Sequence, residues 1–289
     1  MPDLGLTRRI SVSVVIPTLN SEATIGLALQ SVRNQSYGDI ETIVVDSYSR
    51  DSTREIAKTN GASVILTRAR LLGARYLGTM RSKGEFVLVL DSDQILERTA
   101  VERAIRLVSE GPDMLVLEES AFRPATWVQK LFEADRDLVH KLSETNMDPT
   151  TGVLLARFFR RSILEEAFRR IPAELLASVV FHDHSIIYYE SFKISQRVGL
   201  LHNAVWHMEP ASLAELWRKN FRYGRSAYGL ASSGHYRELV WGKTRFRARA
   251  PRSLMLGLQS DLLTALKGLP YFLGYASGGL ASLGSKVDA

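Results

Sequence analysis

FVLVLDSDQIL, residues 86–96, is the stretch on which the fold turns. Its first five residues are apolar without interruption, the pattern of a strand covered on both faces. The run then ends in two carboxylates, Asp91 and Asp93, one residue apart. Isolated acids at a strand end are ordinary solvated turn residues, so the flanking sequence decides what these two do.

Outward from that run, strand and helix patterns alternate. ISVSVVIP (10–17) is a β-branched run stopped by Pro17, and SEATIGLALQSVRNQ (21–35) follows with an N-cap serine and helical apolar spacing. IETIVVD (40–46) predicts a second buried strand, RDSTREIAKTNG (50–61) a polar helix closed by Gly61, and ASVILT (62–67) a third strand. LLGARYLGTMRSKG (71–84) is helical and leads into the opening strand; ERTAVERAIRLVSEG (97–111) is a helix and DMLVLEE (113–119) a fifth strand. Such alternation with short connections predicts an α/β fold, a mostly parallel sheet covered by helices on both faces, with ligands at the carboxyl ends of the strands. Asp46 and Asp91 fall at such ends. After about residue 120 the rhythm changes. ATWVQKLFEADRDLVHKL (125–142) reads as an amphipathic helix, TNMDPTTG (145–152) as a loop and RFFRRSILEEAFRRI (157–171) as a basic helix. Residues 176–208 mix short apolar runs with histidines, and the chain turns helical again beyond 212.

A chain of 289 residues with 45% hydrophobic content can bury a substantial core. It has no cysteine, which excludes disulfides, thiolate zinc sites and a cysteine nucleophile; a metal would be held by oxygen or imidazole, which favours Mg²⁺ or Mn²⁺. The net charge of +6 is uneven, since residues 193–252 carry twelve Lys and Arg against three Glu, a local +9 that leaves −3 elsewhere. An anionic partner is expected. The amino-terminal residues lack the apolar core of a signal peptide and no apolar run reaches the roughly 20 residues of a membrane span, so the expected location is the cytoplasmic side.

Three stretches, VVIPTLNSE (14–22), IVVDSYSRDST (43–53) and SKGEFVLVLDSD (82–93), in this order and spacing, resemble the family-two glycosyltransferases of the GT-A fold. The resemblance covers most of residues 11 to about 230. It implies a Rossmann-like nucleotide-sugar-binding domain over residues 10–230, with a helical appendage over 231–289, and inverting transfer of a sugar from a UDP or GDP donor with a divalent cation. Under it, Pro17 and Thr18 line the nucleotide pocket, Asp46 hydrogen-bonds the base, Asp91 meets the ribose or a metal-bound water, and Asp93 ligates the metal. Arg68 and Arg75 lie on a segment that contacts the nucleotide or its phosphates. The general base falls at Asp183 in VVFHDHSII (179–187), where His182 replaces the usual glutamate. His207 in AVWHMEP (204–210) completes the metal shell, Arg222 and Arg225 in WRKNFRYGRSA (217–227) stabilise the departing diphosphate, and Arg157 touches donor or acceptor phosphate.

WGKTRFRARAPR (241–252) holds five Lys and Arg and no acid, and an apolar, glycine-rich stretch follows it. That combination is expected of an element lying in a membrane interface, with a lipid-linked or saccharide acceptor as the corollary; a hairpin packed on the catalytic domain or across a homodimer interface is the alternative. Two other functions use a similar sheet or a basic segment. A sugar nucleotidyltransferase would carry a glycine-rich phosphate loop after the first strand, which VVIPTLNSE lacks. A non-catalytic nucleotide or polyanion-binding module remains the alternative from outside the enzymes. No nucleic-acid reader motif is present, so nucleic acid is not an expected partner.

Overall fold

The computed structural model describes residues 10–143, 146–241 and 254–287. Eight strands form one sheet: β1 (Val12–Thr18), β2 (Ile40–Asp46), β3 (Ser63–Leu66), β4 (Phe86–Val89), β5 (Gln94–Leu96), β6 (Met114–Ala121), β7 (Ala156–Arg160) and β8 (Val198–His207), in the order β3-β2-β1-β4-β7-β6-β8-β5. The helices are α1 (Ile25–Arg33), α2 (Thr53–Thr59), α3 (Leu71–Arg81), α4 (Ala100–Ser109), α5 (Trp127–Ser143), α6 (Arg161–Arg170), α7 (Ala173–Ser178), α8 (Asp183–Ile194), α9 (Leu213–Ser232), α10 (Arg237–Trp241) and α11 (Leu254–Val287).

Strand alternation sorts the core into two layers. Val12, Val14, Ile16, Val44, Phe86 and Leu88 pack on one face with residues of α1, α2 and α4; Val15, Ile43, Val45, Val87 and Val89 pack on the other with α3, α6 and α8. The apolar runs are continuous because both faces are covered. β1 pairs in parallel with β2 and β4, and β2 with β3.

The far half of the sheet differs from the sequence expectation. Residues 156–160, of which 157–160 are expected as the start of a basic helix, are strand β7, antiparallel to both β4 and β6. Phe158 and Phe159 are buried there among sheet residues, and the helix starts only at Arg161. The short β5, unforeseen, pairs antiparallel with β8. The mixed residues 176–208 resolve into α7, α8 and β8. β6 and β8 run parallel, so the sheet is parallel on its β3-β2-β1-β4 side and mixed beyond it.

α9 and α11 run alongside each other with the same chain direction. Their close approach depends on glycine: a methyl at Gly224 would overlap the Tyr271 carbonyl, and one at Gly274 the Phe221 carbonyl. α5 joins them around Val128, Leu131, Phe132, Leu216 and Leu263. All of the basic run expected at 241–252 except Trp241 lies outside the described residues.

Candidate active site

Strand direction explains why distant residues meet. The carboxyl ends of β1, β2, β4, β6 and β8 point to one edge of the sheet, and the antiparallel β7 brings its first residues, Ala156 and Arg157, to the same edge. There a chain of alternating charges links seven elements and their adjoining turns.

It starts at Asp183, the first residue of α8, placed after His182 in a left-handed backbone conformation (φ 70°). The Asp183 carboxylate accepts from Arg75 Nε at 2.5 Å, and the other arm of the same guanidinium bonds Asp91. Arg75 is fully buried on α3. Arg157 Nη1 donates to the second Asp91 oxygen at 2.9 Å, while its Nη2 lies 3.0 Å from Glu119. Glu119 is shared with Arg136 Nη1 at 2.6 Å, and Arg136 also grips Glu209. Glu209 stands 3.4 Å from His207 Nδ1; His207 Nε2 is 3.5 Å from Asp93, whose other oxygen is 3.7 Å from Lys219 Nζ.

Ions taken out of water need partners, and here each carboxylate faces at least one cation. Burial alone would raise the pKa of Asp91, but Arg75 and Arg157 hold it well below the ordinary range. Burial opposes charge on Glu119 too, yet Arg157 and Arg136 bring it down to about 2. Glu209 is lowered against burial by His207 and Arg136; His207 is raised against burial by Asp93 and Glu209. Burial together with Arg157 and Arg75 lowers the pKa of His184, which lies 3.5 Å from Asp91 and favours the neutral ring. Gln94 ties the turn itself, accepting the Asp91 backbone N–H at 2.9 Å and donating to Glu119 at 3.0 Å.

Two consequences are measurable. Arg75→Met would leave two carboxylates facing each other without their shared cation, and breaking a buried pair costs about 3–5 kcal/mol. The melting temperature should therefore fall by on the order of 10 °C, read by differential scanning calorimetry. For acid, the depressed Glu119 contributes stability that is present above its unfolded value of 4.5 and is lost as pH falls toward about 2. Urea unfolding midpoints should drop across that window, and Glu119→Gln should flatten the drop.

Asp46 is fully buried: its oxygens accept the Ser49 backbone N–H at 2.9 Å, the Thr18 hydroxyl at 3.0 Å and the Ser49 hydroxyl. These bonds hold the turn after β2. Pro17 and Thr18 are buried as well, because they are the last, two-sided residues of β1. What that turn exposes is Tyr48, with φ 59° and 49% exposure, its ring 5.8 Å from the exposed Arg68 guanidinium. On α9, Arg222 and Arg225 are exposed and it is Lys219 that reaches Asp93, with Tyr223 one turn on. Arg75, Arg157 and Asp183 do gather with Asp91, and His207 with Asp93. Sequence reading gave no role to Glu119, Arg136 or Glu209; only the EE and HMEP tails of two strands hinted at them.

Asp93 and His207 form a donor set of carboxylate oxygen and imidazole nitrogen, which suits Mg²⁺ or Mn²⁺. Glu209 at Nδ1 leaves Nε2 directed toward Asp93, the arrangement that orients a ligating histidine. No group of three or more His, Asp or Glu that could hold a metal occurs among the described residues, so an ion here would complete its shell with phosphate oxygens and water.

A sheet of this topology, with acids and cations collected at its carboxyl edge, defines a GT-A glycosyltransferase. The chain belongs to glycosyl transferase family 2, whose model matches residues 13–168, more than half of its length. EpsH of Bacillus subtilis, named as a glycosyltransferase, is 23% identical over 233 residues, 75% of this chain and 67% of EpsH. The Escherichia coli UDP-Glc:alpha-D-GlcNAc-diphosphoundecaprenol beta-1,3-glucosyltransferase WfgD is 30% identical over 102 residues, 34% of this chain and 40% of WfgD. Among solved structures, residues 1–349 of Staphylococcus aureus TarS in complex with UDP-GlcNAc match with a TM-score of 0.55 at 17% identity, covering 91% of this chain and 82% of that one. The fold is thus shared with TarS, while the chain spans well under half the length of WfgD.

Proposed function

We propose that this glycosyltransferase moves a hexose from a UDP-sugar, with inversion, to a hydroxyl of a lipid-linked saccharide or glycolipid at the cytoplasmic face of a membrane. The observation that carries the reading is the carboxyl edge itself, where Asp93, His207 and Lys219 converge beside the Asp91–Arg75–Asp183 ion chain. A UDP donor belongs by name to WfgD and to TarS in its UDP-GlcNAc complex, and an undecaprenyl-linked acceptor to WfgD; both suit the chemistry here.

In this assignment Tyr48 and Arg68 form a platform for the base, on a turn fixed from beneath by Asp46 and Thr18. Asp93 and His207 hold a divalent cation, which when bound neutralises charge on the diphosphate. Lys219 adds a positive charge on the same side; burial would lower its pKa, but Tyr223, Asp93 and Glu209 raise it and keep the amine protonated. Arg222 and Arg225 stay available at the exposed side of α9 for anionic groups that approach from solvent. Asp183 receives the acceptor hydroxyl proton, and Arg75 fixes its carboxylate relative to Asp91.

The test is UDP release from a panel of UDP-hexoses in the presence of Mn²⁺, with and without a short-chain polyprenyl-diphosphate saccharide. Acceptor-stimulated release with one donor supports the reading. Release that no acceptor stimulates, or none at all, removes it.

A further inference from the structure

α11 carries apolar residues on its exposed side as well as its buried one. The face it turns toward the protein buries Leu263 and otherwise makes close or polar contacts: Gly274 on Phe221, Gly278 on Tyr228, and Ser260, whose hydroxyl donates to the buried Asp135 at 2.6 Å, with Lys267 at 3.7 Å from the same acid. One exposed strip of the helix is made of large apolar residues. Met255 is 74% exposed, Phe272 67% and Leu280 72%, and Leu258, Leu262, Leu269 and Leu273 are exposed with them. At 100° per residue these positions share one side of the helix, from 255 to 280, a row of about 38 Å at 1.5 Å per residue. Water is a poor neighbour for such a row.

We infer that the outer face of α11 docks on an anionic lipid bilayer, lying in its interface. Charge complementarity selects this occupant. The neighbouring α9 exposes Arg218, Arg222 and Arg225, and the sequence leading into α11 carries Lys243, Arg245, Arg247, Arg249 and Arg252. Leucine, methionine and phenylalanine in the acyl boundary with arginines at the headgroups is the division of labour of an interfacial helix. No described helix is long and apolar enough to cross a membrane, which agrees with an in-plane rather than a spanning element. The purpose of the surface rests on the lipid-linked acceptor proposed above; its test does not.

The experiment is sedimentation of the full chain with vesicles of phosphatidylcholine alone or containing phosphatidylglycerol, beside the double variant Leu258→Glu/Leu269→Glu. Both positions are exposed, so the fold should survive, which an unchanged melting temperature checks. The expected result is binding to the phosphatidylglycerol vesicles, little to phosphatidylcholine alone, and at least about tenfold weaker binding by the variant. Absence of binding, or equal binding by the folded variant, overturns the inference. So does a dimer in light scattering that the double variant dissociates, since the row would then be covered by a second copy. UDP-dependent thermal stabilisation measured on the same samples reports separately on the glycosyltransferase site.

Discussion

Replacing Asp93 with alanine should reduce sugar transfer at least about a thousandfold while leaving the protein folded. Asp93 sits just after β4, partly open to solvent, with His207 3.5 Å from one oxygen and Lys219 3.7 Å from the other. A divalent ion placed by Asp93 and His207 would supply several kcal/mol of charge stabilisation on the diphosphate, and each 1.4 kcal/mol is about tenfold in rate. The structural cost is small, because the Met208 N–H bond that fixes this turn is to the Asp93 backbone oxygen and is retained. Initial rates at saturating UDP-sugar across a Mn²⁺ titration measure the effect. If the variant keeps wild-type turnover, Asp93 has no role at the metal.

The second large effect is expected at Asp183. Asp183→Asn preserves shape and can still accept from Arg75, so donor binding should stay near normal. Turnover should fall by at least about a hundredfold, because the amide cannot take the acceptor proton. Separate measurement of kcat and the UDP-sugar dissociation constant distinguishes this from general damage. A variant turning over at near-normal rate would mean that the acceptor arrives already ionised or that another group accepts the proton.

Much of the first half of this protein was legible because its strands are buried on both faces. ISVSVVIP, IETIVVD and EFVLVLD read as strands for the reason they are strands. β7 was not, since Arg157, Arg160 and Arg161 give RFFRR the look of a charged helix; only its insertion between β4 and β6, strands about 70 and 40 residues earlier, makes it a strand. That insertion is also what brings Arg157 to Asp91.

The pairings of the site follow the same logic. Arg136 meets Glu119 and Glu209 across 17 and 73 positions, separations that local patterns do not encode. Asp46 shows a different limit. A carboxylate at a strand end reads alike whether it faces a ligand or ties down its own turn, and only the folded chain shows the three bonds by which Asp46 holds its turn. In the basic run 217–227 the helical phase did hold a clue: Lys219 and Tyr223 are four apart on the side facing the sheet, whereas Arg218, Arg222 and Arg225 share the exposed side.

The most direct test of the account is the thermal stability of the chain with UDP, with and without Mn²⁺, in the wild type and in Asp93→Ala. The account predicts a clear rise in melting temperature with UDP and Mn²⁺ together, little with UDP alone, and none in the variant. Equal stabilisation of both proteins, or no response of the wild type to UDP and Mn²⁺, would contradict it.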